Sequence, residues 1–334
     1  MSGDRGPVLV AGAGGFIGGH LVSRLLDEGR QVRAVDMKPF DGWYQVHEAA
    51  ENLVSDLSVA GNCEDAVGGM GDVYNLASDM GGMGFIENNK ALCMLSVLIN
   101  THLLKAAHER GCERYFFASS ACIYPDYRQR ETDNPGLKES DAYPAMPEDG
   151  YGWEKLFGER LCRHYLEDFG FETRTYRYHN VYGPHGTWTG GREKAPAAIC
   201  RKVAEAKITG TREIQIWGDG KQSRSFMYID DCVEGTRRLM ESDVTEPLNL
   251  GSEELVTIDD LVSIVEGIAG IDLERIYDTS APQGVRGRNS DNTLIRERLG
   301  WAPEVSLRDG LEQTYRWVYE RVSAGASAGA TVPD

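Results

Sequence analysis

The sequence contains no hydrophobic run long enough to cross a membrane. A transmembrane helix needs about 18 or more consecutive apolar residues, and the 334-residue chain has no such stretch. Residues 1–7 are short and polar and lead at once into an apolar segment, which does not fit a secretory signal peptide. The sequence therefore predicts no membrane partner.

Positive charge is also scarce. The chain has 35 Lys and Arg residues against 52 Asp and Glu residues, a net charge of −17. A polyanion such as DNA or RNA would be repelled unless a local basic stripe existed, and none is visible. A small anionic substrate remains compatible with this charge, because a few arginines and helix N-termini can hold it locally.

The cysteines show neither pairing nor clustering. There are seven, dispersed along the chain, with no CxxC spacing. Their odd number and dispersion favour reduced thiols in a cytoplasm. No group of His, Cys and Asp has the spacing of a metal site, so we expect no metal.

The sequence does contain strands that alternate with helices. The apolar patterns predict strands at 8–11, 31–36, 72–77, 115–118 and 172–178, and helices at 16–26, 91–108 and 151–168. This alternation is typical of an α/β fold with a Rossmann-like, doubly wound parallel sheet.

The regular alternation of predicted strands and helices weakens after about residue 180. Residues 183–196 are rich in Gly, Pro and charge and indicate a functional loop. Further helices are predicted at 195–206, 257–269, 292–299 and 307–323. We therefore expect a first domain over 1–180, rejoined by a segment near 225–250, then a smaller C-terminal α/β substrate domain over 181–322 and a disordered tail over 323–334.

A glycine-rich turn follows the first strand and opens a helix. Gly12, Gly15 and Gly18 have a GxxGxxG spacing, which lets the backbone approach a pyrophosphate at the helix N-terminus. Asp36 ends the second strand, where a carboxylate can accept hydrogen bonds from both ribose hydroxyls and would repel a 2′-phosphate. The alternative is a tight turn without a ligand, but the context favours an NAD site.

Other residues are expected to complete the cofactor site. Phe16 and Ile17 belong to the glycine turn, and Leu76 and Ser78 end the strand at 72–77 with small neighbours that suit close approach. Asp56 follows another short apolar stretch and is a candidate for adenine contact, although a solvated loop aspartate fits the pattern equally well.

A YxxxK motif is the main chemical signal. Tyr151 and Lys155 stand at i and i+4 and so share one face of a helix. A phenol titrates near pH 10, and a neighbouring ammonium lowers its pKa towards that of a usable base. Ser120 ends an earlier strand, where its hydroxyl can orient a substrate alcohol.

With these motifs the chain resembles the extended short-chain dehydrogenases/reductases, and within them the GDP-mannose 3,5-epimerase family. The stretches that carry the closer resemblance are 80–84 (MGGMG), 119–125 (SSACIYP), 137–141 (LKESD), 179–183 (HNVYG), 190–196 (GGREKAP), 217–220 (WGDG) and 284–291 (GVRGRNSD). The resemblance covers nearly the whole chain.

The resemblance implies an NAD-dependent isomerase that acts on a GDP-hexose. Tyr151, assisted by Lys155, would take the proton of the C4 hydroxyl while a hydride passes to NAD⁺, with Tyr151 and Lys155 also contacting the cofactor. The C4 ketone then acidifies the hydrogens at C3 and C5. Cys122 and Lys194 resemble the family's acid/base pair, and which of them is the acid stays open. The products would be GDP-L-galactose, GDP-L-gulose or both.

The resemblance also implies a set of substrate-binding residues and a homodimer. The substrate set is Gly82, Met83, Asn180, Glu193, Lys194, Lys202, Gln222, Arg286 and Arg288. Each one alone fits an ordinary surface or loop residue equally well, although arginine suits a diphosphate through its forked donors. The helices at 91–108 and 151–168 would pair two subunits.

Two alternatives remain open at this point. The first is another nucleotide-sugar enzyme, a 4-epimerase or a 4,6-dehydratase. A dehydratase commonly has an Asp-Glu pair where this chain has Ala121 and Cys122, and a 4-epimerase would leave Cys122 and Lys194 idle. The second is a non-catalytic NAD-binding regulator, since fold does not guarantee chemistry.

Overall fold

The first half of the chain alternates strands and helices. In a computed structural model that describes residues 6–281 and 284–329, the strands are β1 (Val8–Ala11), β2 (Val32–Asp36), β3 (Glu51–Val54), β4 (Asp72–Asn75), β5 (Arg114–Ser120) and β6 (Glu172–Tyr178). The helices are α1 (Phe16–Asp27), α2 (Ala60–Val67), α3 (Met83–Asn88), α4 (Lys90–Glu109) and α5 (Tyr151–Phe169).

The second half holds shorter strands between helices. The strands are β7 (Val181–Tyr182), β8 (Glu213–Trp217), β9 (Ser223–Ser225), β10 (Met227–Tyr228), β11 (Leu248–Leu250), β12 (Leu255–Thr257), β13 (Glu274–Asp278) and β14 (Gly287–Arg288). The helices are α6 (Ala195–Thr209), α7 (Ile229–Glu241), α8 (Ile258–Ala269), α9 (Thr293–Leu299) and α10 (Leu307–Gly329).

The main sheet has seven strands in the order β11-β6-β5-β4-β1-β2-β3. All its strand pairs are parallel. In β1, Val8 and Val10 pack into the core on one face, and Leu9 and Ala11 pack into the core on the other. This two-sided burial is what a parallel sheet covered by helices requires, and it confirms the predicted doubly wound α/β fold.

The chain returns to the sheet after leaving it. β11 pairs with β6 at the sheet edge, and α7 packs against α1. In the described part of the chain, three small sheets join β7 to β10, β8 to β13, and β9 to both β12 and β14. The proposed division near residue 180 stays a prediction.

The predicted elements recur with small shifts, and one boundary was wrong. The strand predicted at 72–77 ends at Asn75, and the helix predicted at 307–323 continues to Gly329. Residues 323–329, which were predicted as part of a disordered tail, belong to helix α10 in the structure; their three alanines favour a helix, although their two glycines do not. Residues 330–334 lie outside the described part.

Helix α4 is apolar for a helix of a folded protein. By length and composition alone it is the one described helix that meets the criteria for a membrane span, with a mean hydropathy of 1.2. It packs between α2 and α5, and 39% of its most apolar 18-residue stretch is buried inside the protein. A helix of a protein core passes the same test.

Candidate active site

The glycine turn lies at the carboxyl end of β1, against the N-terminus of α1. Gly12 has a φ of +81°, and a Cβ on Gly18 would lie 2.1 Å from the Gly12 carbonyl oxygen. Gly15 is the N-cap of α1 and gives no side-chain hydrogen bond to the first turn. The free N–H groups and the bare backbone are a cradle that fits a pyrophosphate.

Asp36 closes this cradle from β2. Its side chain is 9% exposed and accepts a hydrogen bond from the Lys38 backbone N–H at 3.0 Å. The Lys38 ammonium donates to the Gly14 carbonyl at 2.9 Å. The Asp56 carboxylate, beyond β3, accepts from the Ser58 N–H at 2.9 Å. Both carboxylates thus lie at the carboxyl edge of the sheet, where a dinucleotide binds in this fold.

The remaining predicted cofactor residues surround the same edge. The Leu76 N–H donates to the Ala11 carbonyl at 2.9 Å, and Ser78 Oγ lies 3.5 Å from Ser96 Oγ. Phe16 and Ile17 are partly buried against the core on the face of the sheet that holds Val8 and Val10. Their contact with the cofactor stays a prediction.

A cavity of about 910 Å³ opens beside this edge. Its size is within the range of about 300–1,000 Å³ usual for small-molecule sites. The predicted residues that line it are Gly82, Ser120, Cys122, Tyr151, Asn180, Glu193, Lys194, Lys202, Gln222 and Arg288. Residues from β5, α5, the 190–194 loop and β14 therefore meet around one space.

Tyr151 begins α5 and is 5% exposed. Burial raises its pKa well above the ordinary value of a phenol, Cys122 and Glu154 add to the rise, and a hydrogen bond with Ser120 opposes it. The Lys155 ammonium lies 5.4 Å from the Tyr151 ring centroid and 3.4 Å from Glu154 Oε2. The predicted lowering of the Tyr151 pKa is thus wrong for the protein alone, because burial dominates and Glu154 shares the lysine's charge.

Cys122 sits in a short 3₁₀ turn at the end of β5. Its N–H donates to Ser120 Oγ at 3.2 Å, and Arg288 Nη1 lies 3.7 Å from its sulfur. A Cβ on Gly152 would lie 2.3 Å from the Cys122 carbonyl oxygen. The glycine after Tyr151 therefore lets α5 approach the thiol-bearing turn, which places the phenol and the thiol on the same wall of the cavity.

Lys194 is the N-cap of α6 and faces the same cavity. Burial lowers the pKa of its amine, while the neighbouring Cys122 and Cys232 oppose that shift. The N-terminus of a helix also disfavours a positive charge. Among the described residues the amine has no hydrogen-bond or ion-pair partner, so it is available to a ligand.

Glu193 precedes the lysine and is held on both oxygens. Oε2 accepts from the Gly191 N–H at 2.7 Å, and Oε1 pairs with Arg201 at 3.3 Å. Gly82 lies directly against this loop, since a Cβ on it would lie 2.7 Å from the Glu193 carbonyl oxygen, and it also lines the cavity. The Met83 side chain lies outside the described residues, so its predicted contact with substrate is not placed.

Asn180, Lys202 and Gln222 add polar groups to the lining of the cavity. Lys202 donates to the Gln215 carbonyl at 2.7 Å, and the Asn180 amide donates to the Ser225 carbonyl at 3.1 Å. The Gln222 amide nitrogen donates to the Trp217 carbonyl, while its Oε1 is buried without a partner among the described residues. That oxygen is available to a donor on a bound ligand.

The structure places only one of the two predicted diphosphate arginines on the cavity. Arg286 does not line the cavity, because its guanidinium bonds to Asp219 at 2.9 Å. Arg288 does line it but is 5% exposed and held by Gln129 at 2.6 Å and by an ion pair with Glu148. Its described contacts are with the Cys122 region.

Sequence reasoning missed several lining residues: Tyr178, Trp217, Arg224 and Phe226. Burial lowers the pKa of Arg224 to about 10, and its guanidinium donates to the Val285 carbonyl at 2.5 Å. In the strand Ser223–Ser225, alternate side chains face opposite sides, so Arg224 points away from its two buried serine neighbours. This alternation is the signal by which the sequence could have indicated Arg224. Within the described residues, no group of three His, Cys, Asp or Glu side chains is arranged to hold a metal.

Comparison with known proteins identifies close relatives. The chain is 49% identical to GDP-mannose 3,5-epimerase 1 of Oryza sativa subsp. japonica, over 97% of this chain and 85% of that protein. It is 48% identical to GDP-mannose 3,5-epimerase of Arabidopsis thaliana, with the same shares covered. These relatives match the chain beyond its dinucleotide-binding half.

Solved structures and a family model agree with this likeness. A UDP-glucuronic acid 4-epimerase from Bacillus cereus, solved with UDP-glucuronic acid and NAD, has a TM-score of 0.80 at 26% identity and covers 94% of this chain and 99% of that one. Residues 8–251 match the model of the NAD dependent epimerase/dehydratase family. The chain therefore belongs to the NAD dependent epimerase/dehydratase family.

Proposed function

We propose that this protein epimerises GDP-mannose at C3, C5 or both through a transient 4-keto sugar, giving GDP-L-galactose, GDP-L-gulose or both. The observation that carries the proposal is the meeting of Cys122 and Lys194 with Tyr151 and Ser120 around one cavity. A simple 4-epimerase needs no thiol or amine beside the ring. The relatives at 48–49% identity are named GDP-mannose 3,5-epimerases.

The chemistry begins at C4. Tyr151 accepts the proton of the C4 hydroxyl, which Ser120 holds by a hydrogen bond. When bound, NAD⁺ supplies the hydride acceptor at C4 and later returns the hydride. The buried Lys155 adds positive charge beside the phenol, which opposes the effect of burial on the Tyr151 pKa and favours the ionised form that accepts the proton.

The C4 ketone makes the neighbouring C–H bonds acidic. One of Cys122 and Lys194 removes a proton from C3 or C5, and the other returns one to the opposite face. The lowered pKa of Lys194 increases the fraction of neutral amine near neutral pH. A thiol can serve as a proton donor and its thiolate as a proton acceptor, so the pair supplies both roles.

The nucleotide end is assigned to the other part of the cavity. Asn180, Lys202 and Gln222 line it, and the buried Gln222 Oε1 offers an acceptor. Lys202 supplies positive charge to a diphosphate despite a pKa that burial lowers. The guanine assignment follows from the relatives and not from these contacts.

Product analysis of the protein and two variants tests this proposal. The parent should convert GDP-mannose into an epimer with no net consumption of NAD. Cys122→Ala and Lys194→Ala should each lose epimerisation by about 10²–10⁴-fold, the usual worth of a general acid or base. Tyr151→Phe should lose both epimerisation and reduction of NAD. Parent-like rates in both the thiol and the amine variants would favour a 4-epimerase instead.

We further propose a homodimer that pairs through α4 and α5. Large apolar side chains are exposed on both helices, which pack side by side: Leu92, Met94, Leu95, Leu98, Trp153 and Phe157, each at least 40% exposed. An apolar patch of this kind marks an interaction site, and four helices from two subunits would cover it.

Sedimentation of matched variants tests the dimer. Leu95→Glu should shift the protein to a monomer, whereas Ile276→Glu, at a residue of similar exposure on β13, should not. A dimer that survives Leu95→Glu would exclude this interface. We also propose a cytoplasmic location, because the Cys122 thiol must stay reduced to carry protons; fractionation of the source cells tests it.

A further inference from the structure

The loop that carries Lys194 is tied by direct contacts to the segment that follows β4. The tie consists of the Arg192 side chain and backbone with Asp79, Gly82 and Phe85, and we name it the Arg192 clasp. Met80, Gly82 and Ile86 on one side of the clasp and Glu193 and Lys194 on the other all line the cavity. The clasp therefore joins two walls of the proposed sugar site.

Three contacts make up the clasp. Arg192 Nη1 lies 2.9 Å from Asp79 Oδ1, and the guanidinium carbon lies 3.7 Å from the Phe85 ring centroid. The Arg192 carbonyl accepts a hydrogen bond from the Gly82 N–H at 3.0 Å. A guanidinium that both pairs with a carboxylate and stacks on a ring holds a more defined geometry than an ammonium would.

The sequence on each side depends on this approach. A Cβ on Gly82 would lie 2.7 Å from the Glu193 carbonyl oxygen, so the close contact requires glycine there. Gly190 and Gly191, at the start of the loop, have φ values of +90° and +85°. Two such glycines leave the loop backbone free to adopt other conformations unless it is tethered.

We propose that Arg192 is a positioning residue that sets the place of the Lys194 amine over the sugar ring. The inference rests on the proposed function, in which Lys194 moves a proton at C3 or C5. Arg192 touches neither the sugar nor the cofactor in this proposal. It acts two residues away, by fixing the backbone from which α6 and the lysine begin.

The expected signature separates positioning from general damage. Oxidation at C4 depends on Tyr151 and the cofactor and not on the clasp. In Arg192→Gln, epimerisation should therefore fall by about 10–100-fold in kcat, since a misplacement near 1 Å costs about that much. KM should change little, and the absorbance of the reduced nicotinamide should rise at steady state, because the 4-keto sugar waits longer for its proton transfer.

A set of variants tests the proposal. Arg192→Gln should give a weaker form of the Lys194→Ala behaviour, and the double variant should be no slower than Lys194→Ala alone, because both changes act on one group. Asp79→Asn should give the same signature more weakly. Arg316→Gln serves as the matched control, since that arginine lies on α10, is 70% exposed and pairs with Glu312.

Each outcome has a definite meaning. A parent that yields no epimer would overturn the proposed function itself. If the parent is active and Arg192→Gln has the parent's kcat, the positioning role is wrong and the proposed function stands. A lower kcat in Arg192→Gln without accumulation of reduced nicotinamide, or with a lower melting temperature than the control variant, would show general damage and would also overturn the inference.

Discussion

Replacing Glu159 with glutamine should destabilise the fold strongly while leaving side-chain size unchanged. Glu159 and Arg177 form an ion pair at 2.9 Å, and both are 4% exposed. Ser119 donates to the same carboxylate, and Arg177 also donates to the Tyr124 hydroxyl at 3.0 Å. This network lies under the ends of β5 and β6, directly below the Ser120 and Cys122 turn.

The magnitude follows from the charge that the substitution leaves behind. Burial by itself lowers the pKa of Arg177, but Glu159 and Tyr124 more than offset this and raise it above the ordinary value. Without the carboxylate, the guanidinium is a buried and uncompensated charge. Breaking a buried pair in this way costs about 3–5 kcal/mol, which corresponds to a fall in melting temperature of roughly 4–7 °C for a chain of 334 residues.

Thermal unfolding followed by circular dichroism measures the effect. The matched control is Glu167→Gln on the same helix α5, where the pair with Arg163 is exposed; such pairs contribute little, so its melting temperature should equal the parent's. If Glu159→Gln has the same melting temperature as Glu167→Gln, the buried pair does not stabilise the ends of β5 and β6, and the reasoning is refuted.

Three further predictions concern the cofactor, the amine and pH. Gly18→Ala should abolish measurable NAD binding, because its Cβ would lie 2.1 Å from the Gly12 carbonyl oxygen, whereas Gly61→Ala, with open space around it, should bind NAD as the parent does; equal affinities by calorimetry would contradict this. Lys194→Arg should lose epimerisation as fully as Lys194→Ala, since a guanidinium does not deprotonate near neutral pH; substantial turnover would exclude the amine as a base. Burial lowers the pKa of His179 to about 4, so the unfolded chain binds this proton first and stability falls as the pH drops from about 6.5 towards 4. Between about pH 6.5 and 5, the free energy of unfolding should fall by about 1–2 kcal/mol less in His179→Gln than in the parent. Denaturant unfolding at both pH values measures this, and an equal fall in the two proteins would contradict the prediction.

The sequence predicted five of the seven strands of the main sheet, because their signals are local, and missed the short strands β3 and β11. A strand buried on both faces needs an unbroken apolar run, and β1 and β5 have one. Helices α1 and α5 show apolar residues at helical spacing. The short helix α2 was missed because it has few apolar residues to set a period.

The candidate site was predicted less evenly. Tyr151, Ser120 and Cys122 were placed correctly on the cavity, since the ends of parallel strands and the helix that follows must meet there. The roles of Arg286 and Arg288 depend on their partners, Asp219 and Glu148, which lie far away in the sequence. A pattern of residues gives no information on such pairings.

The pKa of Tyr151 was mispredicted for a related reason. The YxxxK spacing fixes that the lysine and the phenol share a helix face, but not how deeply the phenol is buried. Tyr151 is 5% exposed, and Glu154 competes for the charge of Lys155. Burial is a property of the packed chain and therefore enters only with the structure.

Incubating the parent protein with GDP-mannose and NAD in heavy water tests the central claim most directly. If the C4 ketone forms and Cys122 and Lys194 exchange protons beside it, the recovered sugar carries deuterium at C3, C5 or both, and none at C4, where the hydride comes back from the cofactor. Position-resolved NMR of the product distinguishes these carbons. Epimerised product with protium at both C3 and C5 would contradict the account.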